Sequence, residues 1–128
     1  LEINLIKAIG LDLVEIKRIS DDLARFQEKF TNRILGDQEK SIYDKRHDKD
    51  IFLAGRLAAK EAVIKCLNNY LAQKPLLTEI QVINGASGEP ILKLSQNIRQ
   101  KLKSVNCLIS ITHEKQYAAA VAVFEEEK

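Results

Sequence analysis

Apolar residues recur along this chain with two periods, and the longest stretch that keeps one of them is residues 52–67, FLAGRLAAKEAVIKCL. Ala, Leu, Lys, Glu and Arg fill most of it. These residues lose little freedom on helix formation, so a long central α-helix is predicted. At about 100° per residue, Phe52, Ala59, Val63, Cys66 and Leu67 share one side, and Leu53, Leu57 and Ile64 widen the apolar arc. Residues 5–16 alternate instead, with Ile9, Leu11 and Leu13 on one face and Gly10, Asp12 and Val14 on the other, the period of a strand.

A second helix is expected from an N-cap at Ser20, with Asp21 and Asp22 in its first turn. Its buried stripe is Leu23, Phe26, Phe30 and Ile34, and Gly36 ends it. Residues 37–50 are polar and read as a short helix running into an exposed loop that carries His47. Beyond the central helix, Pro75 precludes continuation. Residues 78–84 and 90–95 form a predicted hairpin about GASGEP, with Gly88 free to take a positive φ. Residues 96–103 form a short helix capped by Ser95, and CLISITH pairs with YAAAVAVFE around residues 114–116. The alanines at 118, 119, 120 and 122 leave room for a bulky element to pack closely, the central helix being the natural occupant. The expected class is α+β, a small antiparallel sheet packed around one long helix, in a single domain over 1–128.

Composition narrows the functions open to this fold. With 20 basic and 18 acidic side chains the formal net charge is +2, there is no polybasic run, and three Tyr and four Phe offer little for base stacking. Nucleic acid is therefore a disfavoured partner. Cys66 and Cys107 lack CxxC or His/Cys zinc spacing and are expected to be reduced core thiols. The uncharged run 116–124, like every other in the chain, falls far short of the ~20 residues a membrane span needs. The start, LEINLIKAIGLDLV, is broken by Glu2, Lys7 and Asp12, unlike a secretory signal. A soluble cytoplasmic protein is expected.

Candidate chemistry lies where polar residues interrupt apolar elements. Asp12 in the first strand needs a hydrogen bond, a cation or a metal, and a local turn bond would serve as well. Glu61 and Lys65 lie one turn apart on the central helix, above Ala54 and Ala58. Ordinary surface helices use such pairs for modest support, but this helix is apolar nearly all round, which sets the pair where it emerges from a core. Arg56 and Lys60 form a second one-turn pair, and two cations at that spacing repel unless an anion lies nearby. Asp12 and Glu61 together suit Mg²⁺, which takes oxygen ligands and keeps waters for substrate phosphates, with Lys65 placed to neutralise a phosphate oxygen. No Walker sequence or GxGxxG is present, and Ser110 and His113 have no elbow motif. His113 reads first as a cap of the hairpin. Arg25, Lys29 and Arg33 recur every four residues, with Lys17 and Arg18 upstream. That line is either a solvated face or a surface that steers an acidic protein helix.

In order along the chain stand Gly10, Asp12 and Arg18; Phe30, Arg33, Leu35 and Glu39; FLAGRLAAKEAVIK; GEPILKL from Gly88; and SITHEKQYAAA from Ser110. This combination resembles the holo-[acyl-carrier-protein] synthases, the short class of 4′-phosphopantetheinyl transferases. Each fragment alone is weak, but together they cover nearly the whole chain. The resemblance implies that family's fold and transfer of 4′-phosphopantetheine from coenzyme A to a serine of apo acyl carrier protein, with release of adenosine 3′,5′-bisphosphate. It further implies a role in fatty acid biosynthesis, dependence on Mg²⁺, and a homotrimer with active sites at subunit boundaries. By position, Asp12 and Glu61 resemble the metal ligands and Lys65 the lysine near the diphosphate, the three forming the catalytic group. Arg46, Lys49, Arg56, Lys60, Gly88, Pro90 and His113 match positions lining the coenzyme A site, together with Lys65. Arg18, Arg25 and Arg33 fall on the carrier-docking helix. After Leu67 the chain departs from the pattern, reading NNYLAQKP where relatives often carry glycines. An alternative of another class is a noncatalytic oligomeric or carrier-docking module of the same fold, against which the intact Asp12, Glu61 and Lys65 argue.

Overall fold

The structure, a computed structural model, describes Ile3 and residues 5–127. In chain order it comprises strand β1 (Ile6–Glu15), helices α1 (Ile16–Phe26), α2 (Glu28–Ile34), α3 (Asp37–Asp44) and α4 (Lys49–Leu67), a 3₁₀ turn (Leu77–Glu79), strands β2 (Ile80–Asn84) and β3 (Pro90–Leu94), helix α5 (Gln96–Lys101), and strands β4 (Val105–His113) and β5 (Tyr117–Glu126). β1, β5 and β4 form one antiparallel sheet with β5 in the middle, and β2 and β3 form a separate ribbon.

Helix α4 is the hub. Of residues 52–67, all are buried except Glu61 and Lys65. Small side chains permit this enclosure: Ala54, Ala58, Ala59 and Ala62 of α4 and Ala118, Ala120 and Ala122 of β5 are buried together in the core. β1 comes closest at Gly10, where a Cβ would fall 2.0 Å from the Ala62 carbonyl oxygen and 3.2 Å from Cys66 Sγ. Only glycine tolerates that approach.

The alternation in β1 is as expected, but it is the face of Gly10, Asp12 and Val14 that turns toward α4. Ile9, Leu11 and Leu13 are 66, 63 and 62 % exposed. Across the sheet, Ile9 registers with Val123 and Leu108, Leu11 with Val121 and Ser110, and Leu13 with Ala119 and Thr112. The sheet therefore turns a largely apolar face outward. Ala119 belongs to that face, not to the helix-packing row of alanines.

Several helix boundaries differ from expectation. α1 begins at Ile16, before Ser20, and the Ile16 amide is satisfied at 2.9 Å by the Gln116 carbonyl of the β4–β5 turn, so no side-chain cap is needed there. The single helix expected up to Gly36 is broken at Gln27, whose φ of 50° separates α1 from α2. Phe26, at the break, is exposed. α2 itself ends at Ile34 because Leu35 is extended, and Gly36 is the N-cap of α3, its amide held at 2.9 Å by Glu39 Oε1. As expected, Ser95 Oγ accepts the Ile98 amide at 3.3 Å, Gly88 has φ 82° and His47 is exposed, whereas the strand expected from 78 starts at Ile80 and the helix expected to reach 103 ends at Lys101.

Candidate active site

Four charged residues of α4 separate into two kinds: Arg56 and Lys60 are buried, whereas Glu61 and Lys65 reach the surface. Lys60 is wholly enclosed. Its Nζ donates to Glu39 Oε1 at 2.6 Å, to the Leu77 carbonyl at 3.1 Å and to the Ile34 carbonyl. The other Glu39 oxygen accepts the Val82 amide at 2.8 Å. The anion expected near Arg56 and Lys60 is thus supplied by the chain itself, and Lys60 does not line an open ligand site. Burial draws its pKa below that of an ordinary lysine, with Glu39 opposing.

Arg56 does reach a cleft. Its Nε donates to the Val82 carbonyl at 3.2 Å and its Nη2 to Asn84 Oδ1 at 2.9 Å, and the guanidinium lies 4.3 Å from the Phe52 ring centroid. Burial lowers its pKa. The cleft, of about 480 Å³, gathers Arg46, Arg56, Gly88, Pro90 and His113 from the sequence candidates, together with Asn84, which carried no mark in the sequence. Arg46 is held by a two-pronged bond to Asp48, 2.8 Å on each prong, which raises the arginine's pKa and lowers the aspartate's. His113 lies beside this pair, and the hairpin is closed instead by Glu114, whose Oε1 accepts the Gln116 and Tyr117 amides at 2.8 and 2.7 Å. Two guanidiniums above the apolar flanks of Phe52 and Ile111 suit an anionic ligand with a flat or apolar part.

Lys49 is not part of that cleft. Its ammonium bonds the Asp44 and Arg46 carbonyls and sits 5.1 Å from the Tyr43 ring, bordering a separate cleft of about 550 Å³ on the side of α2 and α3.

Lys65 turns toward β1. Its Nζ donates to the Leu11 carbonyl at 2.6 Å and stands 3.4 Å from Asp12 Oδ1. Glu61, one turn earlier on the same helix, is 28 % exposed, and its Oε2 lies 3.9 Å from Nζ of Lys74 on the connection after α4. The Asp12 side chain is 21 % exposed. Two half-buried carboxylates at one edge of the β1–α4 contact, with solvent on their open side, fit a hard divalent ion that retains waters. Among the described residues there is no group of three or more His, Cys, Asp or Glu that could hold a metal ion. Glu61 follows Arg56 by five residues, a net rotation of about 140° around α4. The carboxylates and the cleft therefore lie on different sides of the helix.

Arg18, Arg25 and Arg33 are all exposed, the first two on α1 and the third on α2. The break at Gln27 means that Arg25, Lys29 and Arg33 do not share one continuous helical line. A notch of about 270 Å³ lined by Asp22, Phe26, Lys29, Phe30 and Arg33 gives this surface an apolar centre with one acidic and two basic neighbours.

The profile of the 4′-phosphopantetheinyl transferase superfamily matches residues 8–122. A holo-[acyl-carrier-protein] synthase of Protochlamydia amoebophila is 36 % identical over 116 residues, covering 91 % of this chain and 95 % of its own. The crystal structure of a holo-(acyl-carrier-protein) synthase from Bacillus anthracis in complex with CoA superposes with a TM-score of 0.79 at 33 % identity, covering 95 % of this chain and 98 % of that one. The Helicobacter pylori enzyme in complex with coenzyme A gives 0.80 at 30 %, covering 91 % and 99 %.

Proposed function

We propose a reaction for this chain that starts from what it is: it belongs to the 4′-phosphopantetheinyl transferase superfamily. The reaction is transfer of 4′-phosphopantetheine from coenzyme A to a serine of apo acyl carrier protein. The serine Oγ attacks the β-phosphorus, the bond from that phosphorus to the bridging oxygen breaks, and adenosine 3′,5′-bisphosphate leaves. The observation that carries this reading is the surfacing of Glu61 and Lys65 alone from an otherwise buried stretch of α4, with Lys65 reaching Asp12.

Asp12 and Glu61 would hold Mg²⁺, which when bound supplies positive charge to the diphosphate and spreads the charge that develops in transfer. Lys65 brings a second cation to a phosphate oxygen. The serine proton passes to a water held by the Asp12 and Glu61 carboxylates. In the cleft, Arg46, Arg56 and His113 meet the anionic nucleotide end of coenzyme A, while the backbone of Gly88 and the ring of Pro90 border its base. Relatives solved with CoA support this choice of ligand.

The cleft and the carboxylates lie on different sides of α4, and the sheet turns Ile9, Leu11, Leu13, Val121 and Leu108 outward. Both features fit a homotrimer in which one chain's cleft completes the site begun by another's carboxylates. The exposed arginines at 18, 25 and 33 receive the acidic carrier, with the Phe26 notch taking an apolar side chain. The whole chain, 1–128, works as one transferase domain serving fatty acid biosynthesis in the cytoplasm; no helix among the described residues is long and apolar enough to cross a membrane. Incubation with coenzyme A, Mg²⁺ and an apo carrier should add one phosphopantetheine to the carrier's intact mass. A carrier that stays unmodified, though a known transferase modifies it, would make this chain a noncatalytic module.

A further inference from the structure

We infer that Glu39 is a positioning residue for the coenzyme A cleft, acting on Arg56 through strand β2. The inference rests on the cleft assignment proposed above. Glu39 is fully buried and does not itself line the cleft. A buried ion pair is in itself weak ground for stability, so the directions of its bonds matter more. One oxygen takes Lys60 and the Gly36 amide, and the other takes the Val82 amide. The Val82 carbonyl in turn accepts Arg56 Nε, and Asn84, two residues further along β2, accepts Arg56 Nη2. Val82 thus gives both of its main-chain groups to side chains of other elements.

A two-stranded ribbon is marginal on its own, so the seat of β2–β3 depends on such attachments. α4 reaches β2 by two routes, directly through Arg56 and indirectly through Lys60 and Glu39. The ribbon carries Asn84 and Pro90, with Gly88 in the turn between its strands. A guanidinium is a rigid planar fork. Bonds to Val82 and Asn84 fix its plane, and Glu39 fixes the strand that supplies both acceptors.

The test is a double-mutant cycle read as the dissociation constant for coenzyme A, by calorimetry on the full chain. Glu39→Leu with Lys60→Met removes the pair, and with it the acceptor of the Val82 amide, without leaving a lone buried charge, and Arg56→Ala removes the group acted upon. The pair variant should weaken coenzyme A about tenfold and leave the apparent affinity for the carrier unchanged. Adding it to Arg56→Ala should weaken binding no further than Arg56→Ala alone. If the factors multiply instead, Glu39 does not act through Arg56 and the inference is overturned, with the cleft assignment intact. If Arg56→Ala binds coenzyme A as tightly as the native chain, the cleft assignment falls and the inference with it. Should the pair variant fail to fold, Glu39→Asp, which keeps the charge for Lys60 but shortens the reach to Val82, takes its place in the cycle, and multiplying factors overturn the inference in the same way.

Discussion

The ammonium of Lys65, late in α4, stands 3.4 Å from the carboxylate of Asp12 in β1. Lys65 is 53 % exposed, and a pair so open to water is worth only about 0–1 kcal/mol to the fold. The contact therefore says less about stability than about position: it brings Asp12 to the one edge of α4 from which Glu61 also emerges.

If these carboxylates serve the transfer and not the fold, Asp12→Asn and Glu61→Gln should each lower kcat by about 100-fold or more. The melting temperature should stay within about 2 °C of the native chain. Steady-state transfer and a thermal melt on the same samples check both halves, and a collapse of stability would reassign the residues to a structural role.

Gly10→Ala should destabilise the chain by about 1–3 kcal/mol, because the added Cβ meets the Ala62 carbonyl oxygen at 2.0 Å. Displacing β1 from α4 also displaces Asp12, two residues on, so transfer should fall by more than the unfolded fraction explains. Chemical denaturation and activity at low temperature separate the two effects. An unchanged midpoint would contradict the close approach.

In the proposed trimer, Leu11→Lys would place a charge in the middle of the outward apolar face, and it should sediment as a monomer with transfer lost. Mixing Glu61→Gln, which keeps its cleft, with Arg56→Ala, which keeps its carboxylates, should give activity above that of either variant alone. No recovery after exchange of subunits would place the whole site within one chain.

Charge reversal at Arg25 or Arg33 should raise the KM for the carrier about tenfold and leave that for coenzyme A unchanged. Equal effects on both substrates would contradict a docking role.

Burial pushes the Cys66 thiol up to about 11 and the Cys107 thiol up to about 12. A thiol whose pKa is higher in the folded chain than in the unfolded one contributes stability fully below the unfolded value near 9.0, and that contribution drains away as pH rises toward 11 and 12. Stability should therefore fall above pH 9 with a slope that Cys66→Ala reduces. Neither thiol should react with an alkylating reagent at pH 8 before the chain unfolds.

How far the sequence alone could reach is clearest in α4. Because most residues between 52 and 67 are apolar, the exceptions announce themselves, and Glu61 and Lys65, which do reach the surface, stand out. Lys60 does not, since nothing local reveals that Glu39, 21 residues earlier, comes back to neutralise it. The break at Gln27 is equally silent, for neither glycine nor proline marks it. In β1 the alternation tells which residues share a face, but which face is covered depends on α4 being lined with alanines, a long-range property. Ser20 is a good cap in isolation and is not needed, because the carbonyl of Gln116 has already met the start of α1. Local chemistry is readable in the residues themselves; partners supplied by distant segments are not.

The proposed transfer depends above all on Asp12 and Glu61 holding one divalent ion for the diphosphate. Titrating Mn²⁺ into the chain in the presence of coenzyme A, with the bound ion counted by electron paramagnetic resonance, tests this most directly. One ion per site should bind to the native chain, and Asp12→Asn and Glu61→Gln should each weaken it at least about tenfold. Undiminished binding in both variants would contradict the two-carboxylate site.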